Sequence, residues 1–336
     1  MRKVLTAVIL VVGLAAVAVP AHGQSERAAS SCLLRSSQGC PKGVYLGVWQ
    51  PGVPESMAAL QNFEQDAGRH TAIVMMWRDW AGPSSALDPT LLDAVSTHGS
   101  VPLVAWSPED WNTGKSYSLS DIAAGKYDSY IDGWAQTLAA YGQPVLLRWA
   151  SEMNGNWYSW GGNPREFVAA WRHIHQIFTR DGAANVQWVW SPSVFWPHSK
   201  ATDPKAYYPG KKYVDWIGLA GYNFSARGWM SFGQIYGYAY QVLTKRYTQP
   251  FMITEMASGE ATTAETRKGR SKAAWIRTAF KHDIPARSRI RAVIWFNEDK
   301  NGADSRGEDW RIESSSSAQR AFASSIRMKQ YRTFLR

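Results

Sequence analysis

Cysteine is nearly absent: Cys32 and Cys40 are the only two in 336 residues. That excludes a disulfide-rich scaffold. With no C-x-x-C pair and no His/Cys metal spacing, it also excludes a zinc module. His173 and His175 stand two apart on an expected helix, face different ways and make poor co-ligands. Charge is sparse as well, at 19% of residues. The formal excess of +10 is scattered, with no dense Lys/Arg run, so no nucleic-acid partner is expected. After the first 21 residues no apolar run is long enough to cross a bilayer, which argues against stable membrane insertion. Repeats and low-complexity linkers are missing. So is a Gly-rich phosphate turn: "VWQPGVPES" follows the first strand-like run, which argues against the rival open doubly wound sheet. No metal and no organic cofactor is implied.

The chain begins "MRKVLTAVILVVGLAAVAVPAHGQ". Arg2 and Lys3 precede an apolar run from Val4 to Val19, and Val19-Pro20-Ala21 offers a small-residue cleavage site. This is the pattern of a secretory signal peptide over residues 1–21, so the expected location is outside the cell. In that compartment Cys32 and Cys40 are expected to form one disulfide in segment 22–40. Nothing in the sequence asks for more than a monomer.

From residue 41 to 336 one pattern recurs. Short apolar runs rich in Val, Ile and Trp alternate with helical stretches. Strands are expected at 44–50, 71–80, 101–108, 144–152, 186–193, 214–223, 250–258 and 290–299. Their apolar character is nearly continuous, as in strands buried on both faces. Helices are expected at Pro54–Ala67, Asp88–His98, Tyr127–Tyr141, Pro164–Asp181, Ser231–Thr248, Ala264–His282 and Ser314–Arg332, with a loop-like link from 193 to 214. Phe167, Trp171, Ile174 and Phe178 recur at the spacing of one buried helix face. Eight such units predict an α/β fold, a single (β/α)8 TIM barrel.

Active residues of this barrel lie where its strands end. Those ends carry Trp49, Trp77, Trp106, Arg148, Ser151, Glu152, Asn154, Trp157, Tyr222, Glu255 and Trp295, with Trp160 just beyond. Eighteen tryptophans are many for this length. Rings around a few acids suit a sugar cleft, because indoles stack on pyranose faces. Cleaving a glycosidic bond takes two carboxyl groups, and Glu152 and Glu255, ending strands 4 and 7, are the expected pair. A gap of about 5–5.5 Å between them would mean retention of configuration, and a larger gap inversion. Trp149, Trp157 and Trp160 around Glu152 would desolvate it and raise its pKa, as a proton donor needs. Arg148 and Tyr222 could keep Glu255 ionised. Asp79 is read as a binding or structural acid. Glu109, Asp110, Glu298 and Asp299 are read as solvated loop charges. A non-catalytic sugar-binding barrel is the rival reading, and the presence of both glutamates argues against it.

"LLRWASEMNGNWYSWGG" resembles the acid/base motif of glycoside hydrolase family 26, a family of retaining (β/α)8 enzymes. "FMITEMAS" is similar to that family's nucleophile strand, "GLAGYN" to its sixth strand, and "AVIWFNEDKNGADSRGEDWRI" to its last strand and loop. The resemblance implies Glu152 as acid/base and Glu255 as nucleophile, with Arg148 and Tyr222 holding the nucleophile. It implies Trp157 and Trp295 beside the point of cleavage. The implied substrate is a β-linked polysaccharide: β-1,4-mannan first, then β-1,3/1,4-glucan, β-1,3-xylan or an exopolysaccharide. One position departs: the family usually carries His where this chain has Ser151, which alters the pocket for the reacting sugar.

Overall fold

The computed structural model describes residues 43–81, 85–199, 201–301 and 307–333. The signal-like segment and both cysteines lie outside them.

Eight parallel strands close into a barrel: β1 (Val44–Trp49), β2 (Ile73–Arg78), β3 (Val101–Trp106), β4 (Val145–Trp149), β5 (Val186–Trp190), β6 (Trp216–Asn223), β7 (Phe251–Ser258) and β8 (Ile290–Phe296). Each strand pairs with its neighbours in sequence, and β1 pairs with β8 to close the ring, Trp49 opposite Phe296. The expected barrel is therefore the observed one. Its strands are almost wholly buried, which is why they read as unbroken apolar runs.

The outer layer consists of α1 (Met57–Ala67), α2 (Pro89–Thr97), α3 (Asp128–Tyr141), α4 (Pro164–Arg180), α5 (Phe232–Arg246), α6 (Lys272–Thr278) and α7 (Ser316–Ser325). Local chemistry sets their limits. Pro164 opens α4 while the Asn163 side chain accepts the Glu166 N–H. Ser231 and Gln234 cap α5 reciprocally. Phe167, Trp171, Ile174 and Phe178 are all buried against the barrel, as their spacing predicts. Among the described residues no helix is long and apolar enough to cross a membrane.

Some boundaries differ from expectation. The stretch Ala264–His282 is broken, because Gly269 turns left-handed at φ +75° between a four-residue helix and α6. The last helix ends at Ser325, and Tyr331–Arg332 pairs instead with the start of β1. A hairpin (Glu109–Asp110 with Lys115–Ser116) and a short helix (Leu119–Ala123) stand between β3 and α3, where the sequence pattern marks no element. In the link after β5 the described residues hold two 3-10 turns, Pro204–Tyr207 and Lys211–Tyr213.

Candidate active site

Side chains alternate across a strand, so one residue decides whether a group faces the barrel interior or the helices. In β4 Trp149 faces the helices: it stacks on Phe167 and meets Trp171 edge-on. Arg148 therefore points inward, fully buried, and reaches across the barrel to Glu255 of β7, forming an ion pair with its Oε1. Tyr222, on the neighbouring β6, donates its hydroxyl to Glu255 Oε2. Both carboxylate oxygens are thus held by donors, one of them cationic, and the group is fixed in direction as well as in place. The Trp77 ring lies beneath the Arg148 guanidinium at 5.5 Å.

Glu152 follows β4 on a bent backbone. Ala150 and Glu152 both adopt positive φ, +43° and +57°, which costs non-glycine residues about 1–3 kcal/mol. Hydrogen bonds to the adjacent strands stabilise the bend: Ala150 N–H to Trp106 O at 3.0 Å and Glu152 N–H to Ser191 O at 2.8 Å. Such strain persists only where the surrounding structure over-determines it. The side chain accepts Trp157 Nε1–H at 3.0 Å. Gly155 makes room for that ring, since a Cβ there would sit 2.5 Å from it. Burial pushes the Glu152 carboxyl up to about 7, and the negative charge of Glu255 adds to the rise. Arg148, Trp157 and Ser193 oppose it in part. One site thus holds a carboxylate clamped by two donors beside a carboxyl able to carry a proton at neutral pH, the division of labour that acid-assisted displacement requires.

The other expected site residues divide by strand face. Trp49 and Trp77 are half-buried on the inner side, and Trp49 stacks on Phe296 at 4.1 Å. Trp106 and Trp295 do not reach the mouth. Trp106 is buried against Trp134 of α3 at 4.4 Å, and Trp295 packs against Phe322 of α7 and donates to Trp310 O. Their alternation places them outward, and Phe296 takes the inward position expected for Trp295. Trp160 is also buried: it stacks on Tyr158 and donates to Ser151 O, so it supports the loop from beneath rather than lining a cleft. Trp149 and Trp160 therefore do not ring Glu152 as expected; Trp157 is the indole that touches it. Asn154 has its amide committed to backbone, Nδ2 to Ser193 O and Thr202 O and Oδ1 to Ser193 N–H, which ties the β4 loop to the β5 loop. Ser151 is buried immediately before Glu152.

Several groups carry no mark of their role in the sequence. Trp310 is buried and lies parallel to Tyr222 at 4.5 Å and 11°, backing the ring whose hydroxyl holds Glu255. Lys272 of α6 is fully buried and donates to Asp309 O, Arg311 O and Ser314 Oγ, fastening the loop that carries Trp310. Trp310 lies within the segment that resembles the family's last strand and loop, yet nothing local gives its role, and no local pattern marks Lys272; both act through contacts distant in sequence. Glu298 and Asp299, expected to be solvated, line a pocket of about 280 Å³ with Gln50, Asn297, Arg311 and Glu313 between the ends of β1 and β8. Asp79 is buried and accepts the Trp111 N–H at 3.0 Å, a structural tie. On the opposite barrel end Glu64, His70 and His98 cluster closely. His98 Nε2 meets Glu64 Oε2 at 3.1 Å, the His98 ring stacks on His70 at 4.2 Å, and further hydrogen bonds run to Thr71, Ser100 and the carbonyls of His98 and Thr333.

Residues 117–287 match the family model described as glycosyl hydrolase family 26. Endoglucanase H of Acetivibrio thermocellus is 34% identical over 296 residues, 84% of this chain and 30% of that protein. The chain thus spans about a third of this relative's length. A mannan endo-1,4-beta-mannosidase (A and B) of Caldalkalibacillus mannanilyticus is 35% identical over 106 residues, 29% of this chain and 20% of that protein. Among solved structures, the catalytic domain of a Bacillus sp. JAMB-750 GH26 endo-beta-1,4-mannanase superimposes with a TM-score of 0.66. The alignment covers 93% of this chain and 92% of that one at 17% identity, a likeness of fold.

Proposed function

The chain belongs to glycosyl hydrolase family 26, and from that premise we propose a secreted, retaining endo-β-glycanase that works through Glu255 and Glu152. The observation that carries this reading is the unequal setting of the two acids. Glu255 is clamped by Arg148 and Tyr222, whereas Glu152 is desolvated beside Trp157 and raised to about 7.

In the first step the Glu255 carboxylate attacks the anomeric carbon. The bond from that carbon to the glycosidic oxygen breaks, and Glu152 gives its proton to the departing oxygen. Glu152, now a carboxylate, takes a proton from water as the water oxygen attacks the same carbon. The ester to Glu255 breaks, and both acids return to their starting states. Tyr222 and Arg148 bind the carboxylate that must leave in this second step and so favour its departure.

For substrate we propose a β-glucan chain first. The relative that aligns along most of this chain is named an endoglucanase. Ser151 supports a reacting-sugar pocket different from that of the family members with His at this place. β-1,4-Mannan is the second reading, favoured by the shorter alignment to a mannosidase. Export rests on the segment from Arg2 to Ala21.

Two measurements test this. Glu152→Ala and Glu255→Ala should each lower the hydrolysis rate at least about a hundredfold, since each removes a participant in bond cleavage; undiminished hydrolysis by either variant contradicts the assignment. Products from barley β-glucan, mannan, galactomannan and β-1,3-xylan, separated by mass, then identify the sugar. Cleavage of mannan alone would replace the β-glucan reading.

A further inference from the structure

All eight barrel strands run the same way, so they begin together at the end opposite Glu152. At this floor the fold gathers cations that the sequence disperses. Arg69 precedes β2, and Arg289 and Arg291 stand at the start of β8. Arg327, Lys329 and Arg332 belong to the segment that runs from α7 into the pairing with the start of β1. Contacts join them into one sector. Arg69 donates Nη1–H to Ile326 O at 2.6 Å and Nη2–H to Thr333 Oγ1 at 3.3 Å, next to Arg327 and Arg332. Arg327 Nη2 lies 3.9 Å from the place of a Cβ on Gly68. Burial pushes the Tyr45 phenol up in pKa, and Arg291 and Arg332 both oppose the rise, so both guanidinium groups bear on one ring.

These donors are satisfied without being neutralised. Arg289 gives its N–H groups to the carbonyls of Thr244, Tyr247 and Gln249 around the end of α5. A carbonyl fills a donor's need and leaves the charge in place. Arg327 and Lys329 are exposed, and neither forms an ion pair with an acid among the described residues. The acids nearby are already held: Glu64 by Thr71 and His98, Asp66 by Gln319, and Asp283 by Arg287. A surface of one sign attracts a partner of the other.

The cations span the starts of β8, β1 and β2, so the anion that matches them is an extended chain. A lipid surface would want exposed apolar side chains among the cations. The strongly exposed ones among the described residues are elsewhere: Trp111, Trp157 and Trp196 on the loops after β3, β4 and β5, and Tyr238 on α5. We propose that the barrel floor docks a carboxylate-bearing acidic polysaccharide, holding the protein on an anionic matrix with its mouth turned away. The choice of a polysaccharide rests on the reading of an exported glycanase, which meets such chains where it works.

Retention on immobilised polygalacturonate tests this. Arg327→Glu combined with Lys329→Glu should weaken retention at least about tenfold at ~0.1 M salt, where exposed charges still act over about 10 Å. Lys115→Glu combined with Arg165→Glu makes the same change of net charge at exposed sites on the mouth side, and should cost less than about twofold. Soluble polygalacturonate should leave the wild-type rate on the polymer it cleaves unchanged. No retention of the wild type, or equal loss in both double variants, would overturn the docking face; the second result would mean attraction by net charge alone. Inhibition by polygalacturonate that persists in the floor variant would put the chain in the mouth and overturn it too. Tighter binding to duplex DNA or to phosphatidylglycerol vesicles would overturn the choice of polysaccharide. The two readings fail separately. Floor-dependent retention by a protein that cleaves no polymer of the panel overturns the glycanase reading and leaves the docking face standing. Hydrolysis without retention overturns the docking face alone.

Discussion

Glu152→Gln keeps the shape of the side chain and removes its titration. In the folded protein the Glu152 carboxyl is held at about 7, against an ordinary value of 4.5. At about 1.4 kcal/mol per tenfold change, this difference corresponds to about 3 kcal/mol disfavouring the charged form in the fold. The sign follows from proton counting. Below pH 4.5 the group is protonated in both folded and unfolded chains and contributes nothing. Between 4.5 and 7 the unfolded chain has lost the proton and the folded one keeps it, so stability falls as pH rises. Above about 7 the cost is complete and level. Gln does not carry that cost. Urea unfolding of both proteins should give free energies within about 1 kcal/mol of each other near pH ~5. At pH ~8.5 the variant should be more stable by about 2–3 kcal/mol, although its activity is lost. A stability difference that does not change with pH would refute the account of why Glu152 holds a proton. In the wild type the same group sets the alkaline limb of kcat/KM, which should fall with a midpoint near pH ~7.

Other perturbations separate site from scaffold. Tyr222→Phe removes one of the two donors on Glu255 and should lower kcat about ten- to a hundredfold with the fold intact by circular dichroism. Trp310→Ala unstacks Tyr222 and should lower kcat in the same direction while KM changes less, read in steady-state kinetics on an aryl glycoside. Lys272→Met leaves three acceptors of the β8 loop without their donor and should destabilise by about 3 kcal/mol, measured by urea unfolding. Trp106→Ala and Trp295→Ala should each cost about 3–5 kcal/mol of stability, with oligosaccharide affinity unchanged by calorimetry, because both rings pack against helices.

The barrel is legible in the sequence because its strands are buried on both faces: runs such as "VPLVAW" and "FMITEMAS" have no solvated side to interrupt them. Glu152, Glu255, Arg148 and Tyr222 are legible because strand ends in this fold converge on one mouth. The direction of each ring is not. Arg148 and Trp149 are adjacent in β4, yet the arginine points into the barrel and the tryptophan packs against α4. Trp295 and Phe296 divide in the same way in β8, with the phenylalanine inward. Register alone separates such neighbours, and a shift of one residue exchanges their faces. An apolar run buried on both sides leaves that register unmarked, which is why Trp106 reads as a mouth residue although it belongs with α3.

Trp310 and Lys272 are hidden for a different reason. Each acts on Glu255 through a chain of tertiary contacts, Lys272 holding the loop and Trp310 backing Tyr222, and no short motif records such a chain. Asn154 stands out within its motif, but its backbone partners lie 39 to 48 residues away in sequence.

The central claim is that Glu255 forms the bond to the sugar. Its most direct test is trapping: the protein is incubated with a 2-deoxy-2-fluoro β-glycosyl fluoride of the sugar identified by the polymer panel, digested, and its peptides weighed and sequenced by mass spectrometry. The account predicts one added fluoroglycosyl unit, carried by Glu255 in the peptide that contains "FMITEMAS". A label on Glu152 or on any other carboxylate, or turnover of the reagent with inversion and no label at all, would contradict it.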